Sequence, residues 1–496
     1  MKRVERLVDR VIDTDLFIIG SEGAGARGAI EAARAGLKVA IATKGPIGKS
    51  GATVTGDADV DLDSRSAIEL LGLKGDPADS PEVFFEDMVV ESKYISNQKL
   101  VEIHVREAAA RVKDLADFGA KITEIVHNPG HSYPRGAWLP GPRFVSALKK
   151  ELSKYPVELL EYMMIVELLK AEGRVGGALG VKLDTGELYL IRAKATLICC
   201  GGCLRLYPHT TAPDDLTGDG QAMAYRAGAE MIDMEFPMFL PYTLIHPPAM
   251  DGVDYPFLII NRLEAHALNR TGQRYMARWD PARLERSTRD ICSIGLAMEV
   301  LEGRGSRRGG VYVSLRHLPE ELVEDASRWF PAEISGWRYG GFKVTEFIPD
   351  FRDRGFEVGP ACHFQNGGIR INERCETTVP GLFAAGEGTG SIMGANRISG
   401  NALTMTQVWG ARAGRYAAEF ARQNKRVTID PEGVKELKEC ITAPFRRARG
   451  NDVVALRKEM QKLAGDKVEV IRDKEGLEEA LREQERLLRE ELPRVA

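Results

Sequence analysis

The sequence predicts an α/β fold, in which a domain of alternating strands and helices is interrupted by a second domain and followed by further helices. Three observations lead to this prediction. The N-terminal residues read as strand, glycine turn, helix and strand, and the same alternation returns near residue 355. Residues from about 230 to 350 are rich in Pro, aromatic residues and Arg, with a less regular periodicity. From about residue 430 the chain is charged, with leucines at helical spacing.

The N-terminal strand, turn and helix have the spacing of a nucleotide-binding fingerprint. The apolar run Leu16–Ile19 has strand length, it ends at Gly20, and an Ala-rich helical stretch begins near Gly25. Gly36 is placed to end that helix, and KVAIATK supplies the second strand of a right-handed βαβ unit. Gly20 and Gly25 therefore hold the first and third positions of the pattern G-x-G-x-x-G.

The second position of this fingerprint is Glu22, where a glycine normally lets the backbone approach a pyrophosphate. The pyrophosphate would lie at the helix N-terminus, where unpaired N–H groups and the helix dipole favour an anion. Because a carboxylate directed at this anion would be repelled, we expect the Glu22 side chain to point away, with Gly23 supplying flexibility. For this stretch alone, an ordinary βαβ crossover is the alternative.

Two later segments predict the rest of the same domain. Residues 157–203 are strand-rich, with a hairpin turn at 184–187 and a buried strand, ATLICC, that runs into Gly201-Gly202. PGLFAAGE, at 380–387, is a strand that ends in a Gly-Glu corner, and a helical stretch follows at 401–423. A carboxylate at such a strand end, here Glu387, can accept hydrogen bonds from sugar-alcohol hydroxyls such as those of ribitol.

Together with TGDG at 217–220, these segments resemble the FAD-binding framework of two-domain flavoproteins. The chain resembles in particular the flavoprotein subunits of fumarate reductase and succinate dehydrogenase, whose relatives include L-aspartate oxidase and the alpha chain of adenylylsulfate reductase. The resemblance covers the chain from about residue 12 to residue 490. It rests on motifs in the family's order: GSEGAGARGAIEAA, KSGATV, LTGDGQAMAYRAGAE, STRDICSIGLAMEVLEGRG, HFQNGGI, VPGLFAAGEGTG, GANRISGNAL and VVALRKEMQKLAGDKVEVIRDKEGLEEAL.

The resemblance implies a domain plan and a cofactor. It implies a Rossmann-like FAD-binding domain at 12–228 and 355–425, an α+β capping domain for the substrate at 229–354, and a C-terminal helical domain at 426–496. It also implies FAD contacts, which are Gly20, Gly23, Ala24, Gly25, Thr43, Lys44, Ser50, Gly51, Asp219, Glu387, Ala402 and Leu403. Because Gly51 stands where the family has the histidine that bonds covalently to the flavin, we expect FAD to be held without a covalent link.

The resemblance assigns the chemistry to three residues. In the family, hydride passes between flavin N5 and one substrate carbon, and an arginine moves the proton at the adjacent carbon; Arg289 matches this arginine. His363 and Arg397 match the pair that holds a substrate carboxylate, for which the planar guanidinium fork is suited. Without the motifs, Arg289 would be interpreted as an ion-pair residue and His363 as a structural histidine. Since a guanidinium does not normally deprotonate, Asp290 and Glu264 are candidates to relay the proton.

Two departures from the family concern the second end of the substrate. The family's other histidine anchor is Leu240 in MFLP, and its Thr-Glu pair has no counterpart in LIINRLEAHALN, where only Arg262 and Glu264 align. A C4-dicarboxylate would leave its second carboxylate facing Leu240, which is costly unless another cation compensates. The candidate cations are His246, Arg262 and His266. We therefore expect a small carboxylic-acid substrate that is not a standard C4-dicarboxylate.

Composition narrows the possible ligands of the chain and its cellular compartment. A formal net charge of −4 gives no reason to expect nucleic-acid binding, and no apolar stretch approaches the roughly 20 residues of a membrane helix. Seven cysteines without a disulfide-framework spacing indicate a reducing cytoplasm, and docking on a membrane through a partner stays open. The C-x-x-C spacing of Cys200 and Cys203 falls beside the expected flavin, which favours packing over redox or metal binding. We therefore expect no metal site.

Competing functions remain at this point. The first is an FAD-dependent oxidoreductase that transfers hydride between flavin N5 and a carbon–carbon bond of a small carboxylic acid. The alternatives are an electron-transfer flavoprotein subunit that relays electrons to or from an iron–sulfur partner, and an adenylylsulfate reductase-like subunit. The loss of the Leu240 anchor favours the relay, whereas the presence of Arg289, His363 and Arg397 favours the enzyme. Because the chain has no cluster-binding cysteine set, either activity requires an iron–sulfur electron-transfer subunit or a diffusible donor.

Overall fold

The computed structural model describes residues 4–56, 59–323 and 348–496, and these residues form two compact units. The first unit contains the described residues up to Cys203, together with Pro213–Pro237 and Gln365–Ile441. The second unit contains Leu204–Ala212, the described residues of Met238–Phe364, and Thr442–Ala496. Domain boundaries at residues 228, 354 and 425 stay a prediction, since compactness alone does not define where a domain ends in sequence.

The first unit is built on a parallel sheet. As far as the chain is described, this sheet has five strands, in the order Leu382–Ala384, Ala195–Ile198, Leu16–Ile19, Val39–Ala42 and Val157–Leu160. The strands Leu16–Ile19 and Val39–Ala42 are buried along their whole length, as expected for a parallel sheet covered on both faces. The N-terminal βαβ unit and the ATLICC strand predicted from the sequence are therefore confirmed.

Two helices of the first unit pack closely on each other. They are Gly23–Arg34 and Asn401–Gln423, and the second has the bounds that the sequence predicts. A Cβ atom added to Gly414 would lie 2.3 Å from the carbonyl oxygen of Gly28, and one added to Gly410 would lie 2.6 Å from that of Ala24. The two helix backbones therefore approach each other at positions where only glycine fits.

Smaller sheets and helices complete the first unit. A hairpin joins Arg174–Lys182 to Leu188–Arg192 at the predicted turn, with Val181 paired to Leu188. Arg10–Asp13 and Met163–Ala171 extend this sheet on its two sides. The remaining strands are Asp59–Asp61, Ile125–Val126, Gly136–Trp138, Met231–Ile232 and Gly368–Ile369. The remaining helices that begin in this unit are Ser64–Leu71, Pro81–Glu91, Gln98–Asp117, Gly141–Leu152, Asp219–Ala227 and Pro431–Thr442.

The second unit combines a sheet with helices. In its described part, the sheet has the strand order Pro237–Leu244, Phe356–Gln365, Val311–Ser314 and His266–Leu268. The helices are Tyr255–Leu263, Arg289–Leu301, Phe351–Arg354, Val453–Lys467 and Lys474–Arg486. The C-terminal helices contact the Leu204–Ala212 segment, where Gln461 donates to the carbonyl oxygen of Arg205 over 2.9 Å. Among the described residues, no helix has the length and apolar character needed to cross a membrane.

Candidate cofactor and active site

The N-terminus of the Gly23–Arg34 helix is shaped for a close approach of its backbone. Gly20 has a φ of +104°, and a Cβ atom on Gly25 would lie 1.9 Å from the carbonyl oxygen of Gly20. Glu22 is the N-cap residue, and its side chain makes no capping hydrogen bond to this helix. The Gly23 N–H donates to the hydroxyl of Thr53 over 3.2 Å. The following N–H groups at this end are suited to an anion such as a pyrophosphate.

The Glu22 side chain lies along the neighbouring 50–54 segment. Its Oε2 accepts a hydrogen bond from the Val54 N–H over 3.2 Å, and a Cβ atom on Gly51 would lie 2.4 Å from its Cγ. Burial raises the pKa of Glu22 to about 8, and the charge of Asp215 raises it further. The Val54 N–H and the charge of Lys149 oppose this shift. Glu22 thus points away from its own helix N-terminus, which is the orientation that the sequence analysis expects.

A second cluster joins predicted cofactor residues from three segments. The hydroxyls of Thr43 and Ser50 lie 3.2 Å apart. The Lys44 ammonium donates to the carbonyl oxygen of Asp215 over 2.9 Å, and it forms an ion pair with Asp219. Asp219 is the first residue of the Asp219–Ala227 helix. The structure therefore brings Thr43, Lys44, Ser50 and Asp219 into one cluster.

Glu387 follows the buried strand Leu382–Ala384, and it is half-buried. Its Oε1 accepts a hydrogen bond from the Gln365 N–H over 3.1 Å. Burial raises its pKa to about 7, and the Gln365 N–H and the charge of Arg397 oppose this rise. A Cβ atom on Gly201 would lie 3.8 Å from Glu387 Oε2, so the Gly-Gly corner borders the carboxylate. That this carboxylate binds ribityl hydroxyls stays a prediction.

The long helix brings Ala402 and Leu403 to the fingerprint. Both residues lie in the first turn of Asn401–Gln423. A Cβ atom on Gly23 would lie 2.6 Å from the Thr406 hydroxyl oxygen, and the Gln407 side-chain amide donates to the Gly23 carbonyl oxygen over 3.1 Å. The N-terminal ends of the two helices are therefore neighbours.

A buried polar network that the sequence analysis missed supports this helix start. The Asn401 side-chain amide donates to Asp61 over 2.7 Å, and its oxygen lies 2.7 Å from His104 Nε2. Burial lowers the pKa of His104 to about 4, so the neutral ring donates from Nε2 to Asn401. His131 Nε2 lies 3.0 Å from the carbonyl oxygen of Ser399. The sequence offered one sign of this network, which is the acidic residues at alternate positions of the strand-like stretch DADVDLDS.

Arg289, the candidate proton-transfer residue, lies in the second unit. It is half-buried and begins the helix Arg289–Leu301, with Thr288 as N-cap residue. Its guanidinium carbon lies 5.7 Å from the centroid of the Phe257 ring. The Thr288 hydroxyl donates to Asp290 over 2.5 Å. The helix dipole disfavours a positive charge in the first turn, so Arg289 lowers the stability of its own helix. Helix stability therefore does not explain why an arginine stands at this position.

His363 is the other candidate residue of the second unit. It lies on the strand Phe356–Gln365 and is half-buried. Its Nδ1 lies 2.8 Å from the hydroxyl of Thr211, a contact that the sequence analysis did not anticipate. When the hydroxyl donates to Nδ1, the ring proton is on Nε2, which can then donate to a ligand. Arg397, which the resemblance pairs with His363, is buried in the first unit.

The remaining predicted substrate residues have mixed placements. Glu264 ends the helix Tyr255–Leu263, with 75% of its side chain exposed and an ion pair of 3.6 Å to Arg286. The side chain of Arg262 lies outside the described parts of the chain. Leu240 is buried, with 1% exposure. His266 stacks on His317 with ring centroids 3.6 Å apart, and burial lowers its pKa.

The cysteines at the end of the Ala195–Ile198 strand are packing residues. Burial raises the pKa of Cys200 to about 11 and that of Cys203 to about 12, so both remain thiols at neutral pH. A Cβ atom on Gly220 would lie 2.3 Å from Cys200 Sγ, which shows how closely the thiol packs. This favours the packing interpretation over a redox one.

Comparison with known proteins decides the family. Residues 15–403 match the family model described as an FAD binding domain. The chain is 38% identical to an uncharacterized FAD-dependent oxidoreductase of Methanocaldococcus jannaschii, over 94% of this chain and 83% of that protein. It is 35% identical to one of the subunits of the fumarate reductase (CoM/CoB) of Methanothermobacter marburgensis, over 95% of this chain and 84% of that protein. The chain belongs to the fumarate reductase and succinate dehydrogenase flavoprotein family.

The fold of this family member agrees with a solved relative. It superposes on Mycobacterium smegmatis Sdh1 in complex with UQ1 with a TM-score of 0.85 and 29% identity, over 98% of this chain and 82% of that one. The predicted fold class is thereby confirmed. The chain is an FAD-dependent oxidoreductase.

The residues of the first unit fit FAD. The helix N-terminus at Gly23 offers N–H groups to a pyrophosphate, and the Gly20–Gly25 turn leaves no space that a Cβ atom could fill. Glu387 places a carboxylate beside the Gly-Gly corner, where ribityl hydroxyls could donate to it. Gly400, the N-cap residue of the long helix, has no side chain to cap the N–H groups at Ala402 and Leu403. The assignment of individual contacts stays a prediction.

Proposed function

We propose that this family member is a catalytic flavoprotein that transfers hydride between FAD and a carbon–carbon bond of a small carboxylic acid. The observation that carries the proposal is Arg289, a half-buried arginine held in the first turn of a helix against the helix dipole. A charged residue whose position is unfavourable for its own helix is expected to act on a ligand. Bound FAD supplies the hydride chemistry, and the chain supplies orientation and charge.

The roles of the chain's residues follow from their chemistry. Arg397 would hold a substrate carboxylate through two parallel hydrogen bonds from its planar fork. In the second unit, His363 would be able to donate from Nε2 to a carboxylate, because the Thr211 hydroxyl engages Nδ1. Arg289 would move the proton at the carbon next to the one that exchanges hydride. Because an arginine does not normally deprotonate, Asp290 is the adjacent acid for a relay, and the exposure of Glu264 makes it the weaker candidate.

Leu240 sets the expected substrate class. A second carboxylate that faced this buried leucine would lose its hydration without a donor, at a cost of about 1–3 kcal/mol or more. A monocarboxylic enoic acid avoids that cost. The Methanothermobacter marburgensis relative, named for a fumarate reductase, makes fumarate the first dicarboxylate to test. A hydrogen bond from His266 to the second carboxylate would permit fumarate to bind.

The electron partner is the second part of the proposal. We expect an iron–sulfur subunit to exchange electrons with the flavin. Through such a subunit, a cytoplasmic chain could also be held at a membrane surface. A relay function without acid turnover is the competing interpretation, and the buried Leu240 at an anchor position is the observation that favours it. An adenylylsulfate reductase-like role is the third interpretation.

Turnover assays separate these functions. We would measure steady-state oxidation of a reduced viologen dye with fumarate and several monocarboxylic enoates, and the reverse reaction with succinate. Arg289→Lys should lower turnover by about 100-fold or more, since a misplacement of about 1 Å has that effect, while FAD content stays unchanged. Arg286→Lys, three residues away and exposed, is the matched control and should retain activity. If the wild type turns over no acid but still passes electrons to an iron–sulfur partner, the relay interpretation replaces this proposal.

A further inference from the structure

The Glu22 carboxyl lies where few hydrogen-bond donors or positive charges would stabilise its ionised form. Its Oε1 is shut off from solvent and has no hydrogen-bond partner in the described part of the chain, while Oε2 accepts one hydrogen bond from the Val54 N–H. A half-buried carboxyl whose Oε1 has no partner, and whose donors are confined to the Val54 N–H and the Thr53 hydroxyl, is expected to take up a proton instead of remaining charged. The geometry alone therefore favours a neutral side chain.

The groups that face Glu22 do not change this conclusion. The 50–54 segment contributes the Val54 N–H and the Thr53 hydroxyl, whose oxygen accepts from the Gly23 N–H and whose proton can be donated to Glu22; both lower the pKa of Glu22. The helix Gly141–Leu152 contributes one positive charge, that of Lys149, whose ammonium is engaged by the Ile47 carbonyl oxygen over 3.0 Å. The loop before the Asp219–Ala227 helix contributes one negative charge, that of Asp215. The two charges oppose each other, and burial dominates.

Glu22 is also fixed in space beside the expected cofactor phosphates. It is the N-cap residue of the helix whose N-terminus suits a pyrophosphate, so its backbone lies at that site. Its Cγ fills the space where a side chain on residue 51 would start, because a Cβ atom on Gly51 would lie 2.4 Å away. The side chain is therefore already packed against residue 51, and the 50–54 segment limits how much farther the carboxyl can move from a bound phosphate.

We propose that Glu22 must carry a proton for FAD to bind this chain, so that cofactor binding takes up one proton at alkaline pH. Even with its side chain directed along the 50–54 segment, an ionised Glu22 would add a second negative charge near the pyrophosphate in a poorly solvated site. The neutral carboxyl removes that repulsion and keeps the hydrogen bond that holds the 50–54 segment. The proposal depends on the FAD cofactor of the family and not on the identity of the substrate.

The test is a calorimetric titration of the apo-protein with FAD at pH 9.0, in two buffers with different ionisation enthalpies. With a pKa of about 8 in the apo-protein, about nine-tenths of Glu22 is ionised at this pH, so binding should take up close to one proton. The FAD dissociation constant of the wild type should rise about tenfold per pH unit above pH 8. Glu22→Gln keeps the size and the acceptor for Val54, so it should bind FAD without proton uptake and without this pH dependence.

Two further variants separate the proton from the hydrogen bond. Glu22→Ala removes both, and should bind FAD with the same dissociation constant at pH 7 and pH 9, weaker than Glu22→Gln by one factor at both pH values. Glu230→Gln changes an exposed carboxylate that pairs with Arg370 at the surface, and should leave the uptake at pH 9 near one proton. Uptake below about 0.2 proton in the wild type at pH 9, or equal uptake in Glu22→Gln, would overturn the proposal. The wild-type measurement decides the matter even if a variant does not fold.

Discussion

Glu387→Gln should move cofactor affinity and apo-protein stability in opposite directions. The carboxylate is half-buried, accepts one hydrogen bond from the Gln365 N–H and has its pKa raised to about 7. If ribityl hydroxyls of FAD donate to it, the substitution removes hydrogen bonds to a charged acceptor. Such bonds contribute about 1.5–3 kcal/mol, which corresponds to a 10- to 100-fold increase in the FAD dissociation constant.

The stability effect follows from proton linkage. The folded pKa of Glu387, about 7, lies above the ordinary value of 4.5, so the folded state favours the neutral carboxyl. The stability associated with the proton is fully present below pH 4.5 and is lost as pH rises through 7. The full shift corresponds to at most about 3 kcal/mol, and for a half-buried group we expect about 2 kcal/mol. The uncharged glutamine avoids this loss, so the apo-variant should be more stable than the wild type at pH 8.

The assay combines flavin fluorescence quenching, for the dissociation constant, with thermal unfolding of the apo-protein at pH 5 and pH 8. Glu230→Gln is the control, since Glu230 is exposed and paired with Arg370 at the surface. A Glu387→Gln dissociation constant within twofold of the wild type would refute the ribityl assignment. Equal melting temperatures of the two proteins at pH 8 would refute the effect expected from burial.

The remaining predictions concern the flavin linkage, the substrate and the acid sensitivity. Because Gly51 cannot bond to the flavin, acid precipitation should leave all the yellow colour in the supernatant, and flavin in the washed pellet would contradict this. Leu240→His should restore a dicarboxylate anchor and raise activity with fumarate or succinate in the dye assay. Strong fumarate activity in the wild type would instead show that another cation holds the second carboxylate. The pKa of His104 is lowered to about 4, so stability should be lost as pH falls from 6.5 toward 4, by roughly 3 kcal/mol if this histidine acts alone. His104→Gln should flatten the dependence of melting temperature on pH in this range, and an unchanged slope would show that other groups cause the loss.

The framework of the fold could be predicted because local patterns specify it. Glycine spacing marks Gly20 and Gly25, and the structure has a tight turn at these positions. The bounds of the helix Asn401–Gln423 follow from its hydrophobic periodicity. The orientation of Glu22 could be predicted from its place at a helix N-terminus that suits an anion, which needs no knowledge of distant residues, although its raised pKa could not.

The contacts that support the candidate site could not be predicted in the same way. Asp61 and Asn401 meet across 340 positions of sequence, and Thr211 meets His363 across 152. No periodicity records such pairs, because each residue satisfies its local pattern without the other. Glu264 illustrates the opposite problem, since an aligned carboxylate on an irregular segment pairs with Arg286 at the surface.

The glycines between the helices Gly23–Arg34 and Asn401–Gln423 limit how this protein can be engineered for heat resistance. Replacing helical glycine by alanine is a routine route to thermostability, worth about 0.5–1 kcal/mol at an exposed site. At Gly414 the added methyl group would lie 2.3 Å from the Gly28 carbonyl oxygen, so one helix would have to move. Both helices begin beside the expected cofactor, and their displacement would carry the flavin with it. Stabilising libraries should therefore leave Gly28, Gly410 and Gly414 unchanged and use open positions such as Gly433, where an added methyl group meets no atom within 4 Å.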